Sequence, residues 1–120
     1  MKVSGIYPVF ISADIEREVE GYKSIGFKQA HHLNENDLIE IYVMETENGS
    51  RVDLMKIPGA KPGDIGIRIN VDDLAEAVQL YKGLGFTGGE RFFETKSNKI
   101  TKMKAPNNDA TYIIVQHIKG

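Results

Sequence analysis

One segment of the chain occurs twice. Residues 14–27 read DIEREVEGYKSIGF and residues 73–86 read DLAEAVQLYKGLGF. At a constant offset of 59, Asp14/Asp73, Val19/Val78, Tyr22/Tyr81, Lys23/Lys82, Gly26/Gly85 and Phe27/Phe86 are identical. Helical spacing alone would not reproduce a Tyr-Lys pair and a terminal Gly-Phe, so the chain reads as a tandem duplication. Each copy predicts a helix, over 14–25 and 73–84. The aspartate stands at the positive end of the helix dipole, and the glycine comes where a left-handed residue ends the helix. Ile15, Val19, Tyr22 and Ile25, like Leu74, Val78, Tyr81 and Leu84, form one expected apolar stripe.

Strands are expected over 5–12, 27–33, 38–45 and 50–57 in the first copy. In the second they are expected over 65–71, 89–95, 99–104 and 111–118. Asn48-Gly49 is a strong hairpin signal, and Pro106-Asn107-Asn108-Asp109 takes its place in the second copy. A Pro/Gly linker over 58–64 separates modules 1–57 and 65–120, so the order is βαβββ twice within one domain of 120 residues. The absence of cysteine excludes disulfides, thiolate metal sites and a cysteine nucleophile. A net charge of -2 and a pI near 5.9 give no footprint for nucleic acid or an anionic membrane. Apolar runs stop at a few residues, well short of the roughly 20 of a membrane span. Without a signal-peptide pattern, the expected location is cytoplasmic.

Alternation assigns strand faces. Ile67, Ile69 and Val71 oppose Gly66, Arg68 and Asn70; Ile39, Ile41 and Val43 oppose Glu40, Tyr42 and Met44. Val52 and Leu54 oppose Arg51, Asp53 and Met55, while Ile113 and Val115 oppose Tyr112, Ile114 and Gln116. The aliphatic sets are expected under the helices, and the mixed sets on the far side.

Paired βαβββ modules, each with Asp-(Ile/Leu)…Tyr-Lys…Gly-Phe after its first strand, resemble the vicinal oxygen chelate superfamily. That superfamily includes glyoxalase I, extradiol dioxygenases and bleomycin-binding proteins. The resemblance implies an α+β fold of two tandem βαβββ modules, forming a curled mixed sheet around a cleft (the glyoxalase/bleomycin-resistance fold). It also implies metal-ligand positions on the first and last strands of each module. Carried onto this sequence, these are Tyr7 and Gly66 on the first strands and Asp53 on the last strand of the first module. In the second module the last-strand position is Tyr112 or Ile114, according to the hairpin length. Tyrosine is protonated at neutral pH and glycine has no side chain, so one carboxylate remains and neither a metal nor another cofactor is expected.

The other nitrogen ligands do not replace the missing ones. His31 and His32 are adjacent on a strand and point to opposite faces, and His117 shares the parity of Ile113 and Val115. No serine has a Gly-x-Ser-x-Gly setting, and Gly88-Gly89 lacks the lysine and hydroxyl of a phosphate loop. The expected ligand-binding residues are therefore Tyr7, Glu40, Tyr42, Asp53, Arg68, Asn70 and Tyr112 on the mixed face. A guanidinium among amides and tyrosines suits a small, partly anionic molecule. The sequence thus reads as a metal-independent small-molecule binding protein of the glyoxalase/bleomycin-resistance type, expected as a homodimer. Two alternatives stand beside it. One is a lyase or dioxygenase with an atypical metal set of Asp53, Glu40 and Gln116; the other is a partner-binding module without a small ligand.

Overall fold

The computed structural model describes residues 1–36, 39–57 and 59–118, without the side chains of Glu35 and Asn36. Leu38, the expected start of a strand, and Pro58 of the linker lie outside the described residues. The elements are β1 (Val3–Ile11), α1 (Ile15–Ser24), β2 (Lys28–Asn36), β3 (Ile39–Glu45) and β4 (Arg51–Lys56), then β5 (Ile65–Val71), α2 (Leu74–Gly83), β6 (Thr87–Glu94), β7 (Asn98–Lys104) and β8 (Thr111–His117). The duplicated βαβββ order is therefore present, in an α+β fold. Among the described residues, no helix is long and apolar enough to cross a membrane.

The chain forms two compact units, Tyr7–Ile65 and Met1–Ile6 with Gly66–Gly120. In the first unit β2, β3 and β4 pair antiparallel, and β4 pairs parallel with β1. In the second, β6, β7 and β8 pair antiparallel, and β8 pairs parallel with β5. The first residues of the chain run beside β5: the Lys2 amide donates to Asp72 Oδ1 at 2.8 Å and Ser4 Oγ to the Asn70 carbonyl at 3.4 Å.

The repeated motif is a matched pair of helix caps. Asp14 accepts from the Arg17 amide at 3.3 Å and Asp73 from the Glu76 amide at 3.0 Å. At the other end the amide of Phe27 donates to the Tyr22 carbonyl and that of Gly26 to Lys23, with Phe86, Tyr81, Gly85 and Lys82 repeating the pattern. This is the Schellman arrangement. Gly26 and Gly85 adopt φ of 108° and 93°, where a side chain would be strained. The rings complete the cap, with centroids 5.1 Å apart for Tyr22–Phe27 and 4.7 Å for Tyr81–Phe86. Ile25 and Leu84, expected in the apolar stripe, are instead 72% and 69% exposed. They sit at the C-caps, where the backbone has left helical phase.

The face that each helix covers corrects the alternation reading in two strands. α1 packs Ile15 and Val19 on Tyr42, Met44, Val52 and Leu54, so in β3 it is the Tyr/Met set that meets the helix. Ile39, Ile41 and Val43 face away, and they too are buried. α2 packs Leu74, Ala77 and Val78 on Ile69, Val71, Met103 and Ile114, with Tyr112 at the edge. In β8 the helix side is therefore Tyr112, Ile114 and Gln116, and Ile113, Val115 and His117 face away. Both faces are apolar, so hydrophobicity does not choose between them.

Register fixes the correspondence between units. Val9 pairs with Asp53, and Arg68, its equivalent, pairs with Ile113. The counterpart of Asp53 is thus Ile113, not Tyr112 or Ile114. The second hairpin is one residue longer, since Lys104 pairs with Thr111 where Glu45 pairs with Arg51.

Among the described residues one buried side-chain polar atom has no hydrogen-bond partner, Ser12 Oγ. Its equivalent in the second unit is Val71, a core residue. An unsatisfied buried hydroxyl costs about 1–3 kcal/mol. Ser12→Val is expected to raise stability by a similar amount, read as a higher urea midpoint at unchanged slope.

Candidate functional site

The first unit holds a buried ion pair on the sheet face away from α1. Arg51 and Asp53 stand two apart on β4 and so share that face. Arg51 Nε donates to Asp53 Oδ1 at 2.8 Å and Nη2 to Oδ2 at 3.1 Å, a two-pronged clasp of the carboxylate. Asp53 is fully buried. The guanidinium lies over the Tyr7 ring, 3.6 Å from its centroid. Burial works to lower the Arg51 pKa. The hydrogen bond and charge of Asp53, with smaller contributions from Tyr7 and Glu45, outweigh it and raise the pKa, so the guanidinium is a permanent cation. Among the described residues Nη1 makes no hydrogen bond.

Other expected site residues are elsewhere. Glu40 and Tyr42 lie on the helix side of β3, where Glu40 Oε2 is 3.0 Å from His32 Nε2 and Tyr42 stacks on the His32 ring. Tyr112 packs in the second unit against Phe86, centroids 4.9 Å apart, and against Tyr81 at 5.9 Å. Tyr42 and Tyr112 belong to the packing under the helices and Glu40 is on the same side of its sheet as Tyr42, because the faces of β3 and β8 are the reverse of those expected. Arg68 and Asn70 are on the face away from α2, where Arg68 Nε donates to Asn70 Oδ1 at 2.9 Å. With them, Ser4, Asn98 and His117 line a pocket of about 210 Å3. Sequence reasoning placed Arg51 on the mixed face but left it out of the expected ligand-binding residues, although an Arg-x-Asp spacing on a strand signals the clasp. It also missed Ser4 and Asn98, which only the strand pairing brings beside Arg68.

The donor set does not fit a divalent metal. Gly66 and Ile113 offer no ligand atom, the Tyr7 ring is covered by a guanidinium, and both Asp53 oxygens accept from Arg51. Among the described residues no three His, Asp or Glu side chains gather as a metal group. The atypical set does not gather either. Asp53 and Glu40 lie on opposite faces of their sheet, and Gln116 Oε1 accepts from the Leu74 amide at 2.8 Å, capping α2.

No model of a known protein family matches the chain, and no curated protein matches it. Solved structures do. Methylmalonyl-CoA epimerase from Mycobacterium tuberculosis superposes with a TM-score of 0.69 at 14% identity, over 98% of this chain and 90% of that one. A protein from Staphylococcus aureus gives 0.66 at 13% identity, over 97% and 98%. A glyoxalase/bleomycin resistance protein/dioxygenase superfamily member from Vibrio splendidus 12B01 gives 0.57 at 14% identity, over 98% and 100%. The chain has the vicinal oxygen chelate fold, in its glyoxalase/bleomycin-resistance form. At this identity the likeness carries the fold and not the chemistry.

Two outcomes are expected for the buried groups. A double-mutant cycle with Arg51→Gln and Asp53→Asn should give a coupling energy of about 1.5–3 kcal/mol in urea unfolding. Burial, then the charges of Glu40 and Glu16, raise the Tyr42 pKa above its ordinary 10.0. The folded chain therefore holds this proton where the unfolded chain has lost it. The contribution is complete below pH 10 and is lost as pH rises through the folded pKa. Tyr42→Phe should flatten the alkaline loss of stability, measured as melting temperature between roughly pH 9 and 11.

Proposed function

We propose that the protein is a metal-independent binder of a small, partly anionic molecule. The observation that carries this reading is the clasp of Asp53 by Arg51. Where the resemblance puts a metal ligand, the one carboxylate present is neutralised by a guanidinium stacked on Tyr7. The clasp leaves no net charge, but Arg51 Nη1 remains a donor in surroundings of low polarity, with Val9, Val43 and Met55 buried on the same face. Such a donor hydrogen-bonds a carbonyl or the oxygen of a partly anionic group without any ion to load. Because the guanidinium does not change protonation in the ordinary pH range, it favours binding and orientation over proton transfer. A cytoplasmic homodimer belongs to the same reading. The 72%-exposed Ile25 and 60%-exposed Ile65 beside an apolar groove of the first unit support the dimer.

A metal-dependent lyase or dioxygenase would need its ligands from a set whose members face apart or are already engaged. The test is a titration of purified protein with zinc, nickel and manganese, followed by calorimetry and melting temperature. The expected result is no stoichiometric binding in the parent. Tight binding of about one ion per chain, abolished by Asp53→Ala, would overturn the proposal and favour the enzyme.

A further inference from the structure

The two helices carry the same aspartate cap but differ at the next residue. In the second unit Gln116 Oε1 accepts from the Leu74 amide at 2.8 Å and satisfies the first free donor of α2. Strand pairing makes Lys56 the counterpart of Gln116, since Lys56 pairs with Glu40 as Gln116 pairs with Lys99. A lysine has no acceptor atom, so it cannot cap a helix in this way. Among the described residues the Ile15 amide, which opens α1, forms no hydrogen bond. The Lys56 ammonium forms neither a hydrogen bond nor an ion pair.

A third donor stands beside these two. The Ser12 amide donates to the Met55 carbonyl at 3.1 Å and continues the parallel register of β1 with β4, which sets Ser12 beside Lys56. Its side chain has the parity of Phe10, which packs under α1, and so points to the helix side. Ser12 is 7% exposed, and its hydroxyl is the buried group without a partner noted above. At the same place the second unit pairs Val71 with Gln116, an apolar residue with an acceptor. Ser12, Ile15 and Lys56 line one pocket of about 480 Å3, inside the usual range of roughly 300–1,000 Å3 for small-molecule sites. One unit thus supplies its own acceptor, whereas the other gathers three donors at the positive end of a helix, an arrangement that suits an anion. Asp14, Glu16 and Glu40 line the pocket as well. Asp14 Oδ1 accepts from the Arg17 amide, and Glu40 Oε2 lies 3.0 Å from His32 Nε2 and accepts from Asn34 Nδ2 at 3.4 Å, so two of these acids serve protein donors. Their charge weighs more against a dianion than against a monoanion, which favours a carboxylate over phosphate.

We propose that Ser12, the Ile15 amide and Lys56 form a binding site for the carboxylate of a small monoanion. The site lies wholly within the first unit, on the sheet face opposite the Arg51–Asp53 pair. It does not rest on that pair holding a ligand and would stand if Arg51 were purely structural.

The experiment is a magnetic-resonance titration of the isotope-labelled full chain with acetate, propionate and inorganic phosphate near neutral pH, against chloride of equal ionic strength. The Ile15 amide resonance is the readout, and it is repeated on Lys56→Gln, Lys56→Arg and Ser12→Val with the melting temperature of each. Lys56→Gln and Ser12→Val restore the residues of the second unit, and Lys56→Arg keeps the cation. In the parent the Ile15 amide should shift saturably with acetate or propionate, with a Kd below about 10 mM. Loss of the charged donor in Lys56→Gln should weaken that binding about tenfold or more, and loss of the hydroxyl in Ser12→Val about threefold or more. Lys56→Arg should stay within about threefold of the parent. Lys56→Gln should also melt at a higher temperature than the parent, because it caps α1 from within the chain. Four results would overturn the proposal: an Ile15 amide that responds to the carboxylates no more than to chloride, binding by Lys56→Gln within twofold of the parent, a loss in Lys56→Arg as large as in Lys56→Gln, or phosphate bound more tightly than both carboxylates. A lower melting temperature for Lys56→Gln would do the same, because the lysine would then serve the fold.

Discussion

The hydrogen bonds that close each helix set the places of most other parts of the chain. At the end of α1 and of α2, the amide of a phenylalanine reaches back to a tyrosine carbonyl across a left-handed glycine. Three residues of the motif thereby acquire fixed places. The tyrosine turns onto the sheet, the glycine reverses the chain, and the phenylalanine enters the next strand against the tyrosine ring. Once that strand is placed, the antiparallel pairings form in register. The faces on which Arg51 and Asp53 stand in one unit, and Arg68 and Asn70 in the other, are then settled.

What the sequence disclosed and what it hid divide along a physical line. Duplication, capping and turn chemistry are local, and Asp14, Asp73, Gly26, Gly85 and the Asn48-Gly49 turn are where local rules put them. The direction of a strand's faces is not local. In β3, Ile39, Ile41 and Val43 compete with Tyr42 and Met44 for the helix, and both sets end up buried. The larger, more adaptable side chains lie under α1, which no count of apolar residues anticipates. The same ambiguity in β8 moved Tyr112 from the expected site into the aromatic packing beneath α2. One extra hairpin residue hid Ile113 as the counterpart of Asp53. Asn98 was out of reach for another reason: an asparagine opening a strand looks like a turn residue until its pairing with His117 is known.

Arg51 and Arg68 show two uses of one side chain in a duplicated frame. Arg51 is held by a carboxylate two residues along its strand, and Arg68 by an amide two residues along its own. The first arrangement neutralises an acid, and the second fixes the plane of a guanidinium against a side-chain amide. The Arg51 cation does not depend on pH in the ordinary range, because the bond to Asp53 raises its pKa further.

The division of β1 bears on the order in which the chain can assemble. Residues 1–6 belong to a unit whose remainder starts at residue 66, and the Lys2 amide bonds to Asp72 although most of the first module lies between them in sequence. During synthesis these residues leave the ribosome before their partners, which emerge only after the whole Tyr7–Ile65 unit. That unit is continuous and needs nothing from later in the chain to pair its own strands, so it can close while translation proceeds. The opening segment has to wait as an unpaired strand end, a form of exposed edge that invites association with other chains. Crowding beside residues 1–6 would therefore disturb the unit whose other strands come after residue 65.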